Sequence, residues 1–168
     1  MTDVLMSIQP RFAEAIFRGE KTHELRRRFP ASLTGATVYV YASTPTRAVI
    51  GSFRIASVER RPRWLVARTR RLATTLTSEQ INTYLAGLQH GVLIEVAEQL
   101  RFAHTVPLAD LRRYGVEPPQ SYRFLATDVR DELERVGGMG LRPALCAGGQ
   151  SRRREGPAEE HRVMAAAG

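Results

Sequence analysis

The sequence predicts an α+β domain or a small β-barrel rather than a regular βαβ series. Two observations carry this: strand-like segments follow one another in mixed order with short helices inserted, and no internal repeat is present. A third is size. The 168 residues, 43% hydrophobic and 25% charged, suit one domain with a sizeable core and argue against coiled coil, collagen-like repeats and wholesale disorder.

Val4 to Ile8 reads as a short buried strand, and Pro10 suits the first turn of a helix whose apolar face is Phe12, Ala13, Ile16 and Phe17. Gly19 supplies the left-handed residue that ends it. Thr22 to Arg28 then reads as a strand, with Thr22, Glu24, Arg26 and Arg28 on one wholly polar face. Thr37 to Tyr41 is a strong strand, and Ser43-Thr44-Pro45 is expected to cap a brief helical turn. Ala48 to Val58 is a third strand with a possible bulge at Gly51, stopped by Pro62. Helices are expected over Trp64 to Leu72 and Thr77 to Leu88, the second capped by Thr77 or Ser78 with Glu79 and Gln80 in its first turn. Val92 to Val96 is a strand that can extend to Phe102, and Leu108 to Arg113 and Thr127 to Val136 read as short helices.

Residues 137–168 differ in composition, holding seven of the thirteen glycines and no aromatic, so a domain over 1–136 and a disordered tail over 137–168 are expected. No apolar run approaches a membrane span, and the first residues lack signal-peptide character, so a cytoplasmic, non-membrane protein is expected. A single cysteine, Cys146, leaves no internal disulfide or thiolate-rich zinc site. His23, His90, His104 and His161 show no metal spacing, and phosphate-loop and nucleophile-elbow motifs are missing, so neither a metal nor a cofactor is expected.

The formal charge of +8 points to an anionic partner, nucleic acid first. The domain holds 20 basic against 14 acidic residues, so the basic character is mostly its own. However, 24 of the 25 basic residues are arginine, a bias that genome base composition alone can produce. Lys21 is the sole lysine, and its compact ammonium can act as a base on burial or hold a substrate oxygen. Thr22, Glu24 and Arg26 beside it offer a hydroxyl, a carboxylate and an anion clamp, or else a solvated face with an ion pair. Arg54, Arg60, Arg61 and Arg63, from the most basic stretch of the chain between residues 54 and 71, form a candidate phosphate patch together with Arg28. Trp64, Tyr39 and Tyr41 could stack on bases, although core packing is the commoner use of such residues.

The segment Leu5 to Arg26, with Gly19-Glu20-Lys21-Thr22 and Glu24-Leu25-Arg26, resembles the opening motif of the ASCH domain family. Tyr41 to Pro45 with Ala48 to Gly51 resembles the family's second motif, and Pro118 to Phe124 resembles the C-terminal motif of its bacterial members. The resemblance implies a PUA-like fold, a small mixed β-barrel with helices packed around it. It also implies a cleft lined by Lys21, Thr22, Glu24, Arg26, Ser43, Gln120, Ser121 and Tyr122. Members are regarded mainly as RNA-binding modules, so RNA or a nucleoside is the expected partner.

Some relatives are enzymes. One is an N4-acetylcytidine amidohydrolase using a Lys-Thr-x-Thr motif, and another cleaves RNA. Lys21 and Thr22 match the first two positions, but Glu24 replaces the second threonine and its hydroxyl. The leading expectation is therefore an RNA-binding module with a nucleotide-sized cleft. The alternative is an enzyme on a modified nucleoside or RNA, with Lys21, Thr22 and Glu24 as catalytic candidates.

Overall fold

The computed structural model describes residues 3–69 and 71–138. The chain runs β1 (Asp3–Ile8), α1 (Pro10–Phe17), β2 (His23–Arg26), a 3₁₀ turn (Ala31–Leu33), β3 (Thr37–Ala42) and β4 (Ala48–Pro62). It continues with α2 (Arg63–Thr69), α3 (Arg71–Thr74), α4 (Ser78–Tyr84), β5 (His90–Pro107), α5 (Leu108–Arg113), β6 (Tyr122–Phe124) and α6 (Thr127–Val136). Six strands form one mixed sheet in the order β2-β5-β4-β3-β1-β6. It curls into a half-barrel with helices packed around it, the α+β architecture expected from the sequence.

β1 and β3 pair in parallel across the α1–β2 excursion, while the other neighbours are antiparallel. The frame is the long antiparallel β4–β5 pair, running from Ala48 opposite Pro107 to Pro62 opposite His90. Three irregularities in its register bend it, as extra residues in one strand do. Gly51 sits at one of them: a Cβ there would lie 2.5 Å from the Leu100 carbonyl oxygen and 2.6 Å from the Phe17 ring. Only a glycine lets α1 and β5 approach this closely.

Several expectations change. β2 is four residues, not seven, because the chain leaves the sheet after Arg26. β4 continues past Val58 and takes Pro62 as its last residue, where a missing N–H is tolerated. β5 extends to Pro107 because β4 offers a partner along that length. The Ser43 to Pro45 segment begins no helix but makes a turn with a cis Thr44–Pro45 bond. The first expected helix is covered by α2 and α3, on either side of residue 70, and Thr77 caps α4 through a reciprocal capping box with Gln80. β6 has no counterpart among the strands expected from sequence and adds Tyr122–Phe124 to the β1 edge.

Three apolar clusters hold the sheet. One packs α1 (Ala13, Ile16) on Val4, Met6, Val38, Val40, Phe53 and Ile94. The second sets α5 and α6 against Leu5, Tyr39, Val49 and Phe102. The third joins Val66 and Ala67 of α2 to Ile81 and Leu85 near α4, over Leu25 and Leu93. Apart from Gly137 and Gly138, the expected tail lies outside the described residues. Gly137 itself belongs to the domain's packing: its carbonyl accepts from Ala103 and His104, and its Cα rests on Phe102.

Candidate functional site: a basic cleft at the sheet edge

A cleft of about 850 Å³ opens beside β2, the outer strand of the sheet. Its floor is set where α1 ends. Gly19 adopts φ +75°, and the amides of Glu20 and Lys21 both donate to the Ala15 carbonyl at 2.9 and 3.0 Å. This reversal turns Lys21 inward. The next amide, Thr22, donates to the Ala73 carbonyl at 2.9 Å and ties the bend to α3.

Lys21 is only 2% exposed, yet it lines the cleft. Its Nζ donates to the Thr74 carbonyl oxygen at 2.7 Å and lies 3.2 Å from Glu24 Oε2. The other Glu24 oxygen, Oε1, is 3.1 Å from Arg26 Nε, and Arg26 Nη2 donates to the Ser7 carbonyl at 2.8 Å. One carboxylate is thus held between two cations, leaving a buried group with one surplus positive charge. Burial lowers the Lys21 pKa, and the charge of Glu24 opposes that shift. Arg26 Nε makes no hydrogen bond of good geometry despite its nearness to Glu24, so part of this guanidinium retains donor capacity.

The walls come from distant parts of the chain. Ser7, Gln9, Arg11 and Phe12 form one side, where the Arg11 guanidinium lies 4.4 Å from the Phe12 ring centroid. Tyr41 and Ser43 approach from the end of β3, and Pro118, Pro119 and Gln120 from the segment before β6. The far wall is α4, through Gln80, Thr83 and Tyr84. Arg27 braces that wall by donating to the carbonyls of Tyr84 and Ala86 at 2.7 and 3.3 Å.

Of the residues singled out by sequence, Lys21, Glu24, Arg26, Ser43 and Gln120 meet in this cleft. Thr22 does not: it precedes β2, at the bend tied to Ala73, and is exposed there with Oγ1 3.0 Å from His23 Nδ1. Ser121 acts through its main chain, accepting from the Ser7 amide at 3.2 Å. Tyr122 packs on Phe29, with ring centroids 4.8 Å apart, and on the first core cluster.

The five arginines expected to form one phosphate patch separate. Arg54 pairs with Glu98 at 3.7 Å, about 20 Å along β4 from Arg60 at strand spacing. Arg28, Arg60 and Arg61 are exposed, and Arg63 is half-buried at the start of α2. Arg60 and Arg26 stand level across the sheet, both opposite Val92. Tyr39 is core, its hydroxyl donating to Glu134 Oε1 at 2.5 Å, whereas Trp64 is 64% exposed.

Sequence reasoning missed Ser7, Gln9, Arg11, Phe12 and the α4 wall. The polar face of α4 was a usable signal; nothing in the sequence said that it would meet β2. Among the described residues no three His, Cys, Asp or Glu side chains gather as a metal site, and no helix is long and apolar enough to cross a membrane.

Comparison with known proteins agrees with this architecture. The ASCH domain family matches residues 6–101. An ASCH domain-containing ribonuclease of Zymomonas mobilis is 31% identical over 142 residues, covering 79% of this chain and 95% of that protein. The crystal structure of ASCH from Zymomonas mobilis superposes with a TM-score of 0.74 at 25% identity, over 80% of this chain and 94% of that one. The N-terminal domain of Staphylothermus marinus McrB shares the fold alone, with a TM-score of 0.53 at 11% identity over 79% and 93% of the two chains. By its motifs, its sheet and these matches, the chain belongs to the ASCH domain family.

Proposed function

We propose that this chain binds single-stranded RNA, takes one nucleotide into the β2 cleft and cleaves the strand there. The observation that carries the reading is the buried Lys21, fixed at the cleft floor by Thr74 and Glu24 beside Arg26. Fixed cations in a water-poor site are suited to stabilise charge that develops on phosphoryl oxygens. The relative named as a ribonuclease covers nearly its whole length with this chain, which supports RNA as the substrate class.

The geometry also sorts roles. Both oxygens of Glu24 face cations, so Glu24 serves to anchor Lys21 and Arg26 rather than to accept a proton. Ser43 and Gln120 are placed to hydrogen-bond a base or a phosphate, and Tyr84, 39% exposed on the far wall, offers a ring for stacking. Removal of acetyl from N4-acetylcytidine has weaker support, since Thr22 is exposed and does not line the cleft, and Glu24 stands where the second hydroxyl would be needed.

The test incubates the full chain and a Lys21→Ala variant with total cellular RNA and with a panel of acylated nucleosides, following retention and products by mass spectrometry. Retained RNA and shortened fragments that vanish in the variant are expected. Retention without Lys21-dependent fragments would overturn cleavage and leave a binding module. Loss of acetyl from the nucleosides would favour the amidohydrolase, and absence of retention at low salt would remove RNA altogether.

A further inference from the structure

Trp64 is the one tryptophan of the chain and keeps 64% of its surface exposed at the start of α2. Leaving so large an apolar ring in water forgoes the burial that normally stabilises a tryptophan. The helix does not lack a core to bury it in: Val66 and Ala67, two and three residues on, are buried against Ile81, Leu85 and Leu93. Trp64 therefore lies on the outward face of α2, where Arg68, four residues later, shares that face and is exposed.

Its other neighbours are basic. Arg61 is exposed at the end of β4 on the face that α2 and α4 cover, and Arg63 is half-buried next to Trp64 in sequence, whereas Arg60 faces the other side of the sheet with Arg26. Glu59, with its oxygen 2.9 Å from Arg61 Nε, is the lone acid between residues 54 and 71. The location connects this surface to the cleft. α2 packs on α4 through the third apolar cluster, and Ser78 Oγ at the start of α4 donates to the Ala67 carbonyl at 2.7 Å. The other side of α4 is the far wall of the cleft. α2 and α4, each about 10 Å across, lie between the outward face that carries Trp64 and the cleft.

From this arrangement we infer that Trp64, with Arg61, Arg63 and Arg68, is a second RNA subsite: a base stacks on the indole while the arginines hold the adjoining phosphates. An aromatic ring among cations is the combination that binds single strands without reading sequence, because every base has a face to stack and every link a phosphate. The inference rests on the RNA reading of the cleft and extends it, since the bound strand must continue beyond one nucleotide and cross α4 and α2.

Because Trp64 is the single tryptophan, fluorescence excited at the red edge of indole absorption, beyond that of the five tyrosines, reports on this position alone. The full chain is titrated at low salt with uridine monophosphate and with an oligouridylate of about ten nucleotides, a length in the range single-strand binding sites occupy. Fluorescence and anisotropy of a labelled oligonucleotide are both read. The oligonucleotide is expected to quench Trp64 strongly and the mononucleotide hardly at all. Trp64→Ala is expected to weaken the oligonucleotide about tenfold, with Trp64→Phe restoring much of the loss. Anisotropy showing binding while fluorescence and the Trp64→Ala affinity stay unmoved would overturn the subsite and leave the cleft reading standing. If no RNA binds to the wild-type chain, both fall, and an anionic protein surface becomes the better partner for these arginines.

Discussion

The ammonium of Lys21 donates to the main-chain oxygen of Thr74, 2.7 Å away and 53 residues later in the chain. The same oxygen accepts from Thr75 Oγ1 at 2.7 Å, and Thr75 holds the left-handed φ of +58° that ends this segment. The cleft floor is thereby fastened to the helical excursion that forms its far wall. A change at Lys21 acts on the shape of the cleft as well as on its charge.

Glu24 is the centre of this arrangement, and its neutral isostere tests it. Glu24→Gln leaves Lys21 and Arg26 facing each other in a buried site with no counter-charge. Removing one partner of such a group typically costs about 3 kcal/mol. A lowered urea midpoint at unchanged m-value, together with weaker RNA binding, is expected; unchanged stability would show that the two cations find other partners.

Lys21 sets an alkaline limit. Burial brings its pKa below the ordinary 10.5, so the folded protein releases this proton at a lower pH than the unfolded chain does. Between the lowered value and 10.5 the unfolded state holds more protons, and this group's contribution to stability therefore rises with pH. RNA affinity moves the opposite way, falling as the cation is lost. Affinity measured against pH is expected to decline earlier than an exposed lysine would allow, and Lys21→Arg, which does not titrate there, is expected to remove that limb.

Salt separates the cleft from the surface arginines. Lys21→Ala is expected to weaken RNA binding while flattening the slope of log affinity against log salt by no more than about 0.7, since Lys21, Arg26 and Glu24 together carry one surplus positive charge. Arg61→Ala with Arg63→Ala is expected to flatten the slope by about 0.7 for each phosphate that these arginines no longer neutralise. Equal slopes in all variants would argue against phosphate binding at the end of β4.

Thr22 gives the opposite control. It is exposed and does not line the cleft, so Thr22→Ala is expected to leave RNA affinity and product formation little changed. Loss of turnover in this variant would return the hydroxyl to the chemistry and favour the amidohydrolase.

Gly51→Ala probes the frame. Its new methyl would overlap the Leu100 carbonyl and the Phe17 ring, and forcing α1 and β5 apart is expected to cost about 1–3 kcal/mol. Thermal unfolding of the variant checks it. No change in Tm would mean that α1 can slide away from β4.

What the chain's own order dictates was legible beforehand. The periodicities of β1, α1 and β3 and the capping box of α4 follow from interactions within a few residues, and so they appear in sequence. The motif around Lys21 was also legible, and Lys21, Glu24 and Arg26 do come together. Other features needed tertiary structure. The polar face of β2, readable as a solvated strand, is buried because α1 folds back through Ala15 and α4 closes over the edge. Tyr39 went inside because Glu134 of α6 receives its hydroxyl, and Trp64 stayed outside because Val66 and Ala67 took the inward face of α2. Local spacing says which side chains share a face. Which face is covered depends on partners far away in sequence, and that was decided only when β4 and β5 brought them into reach.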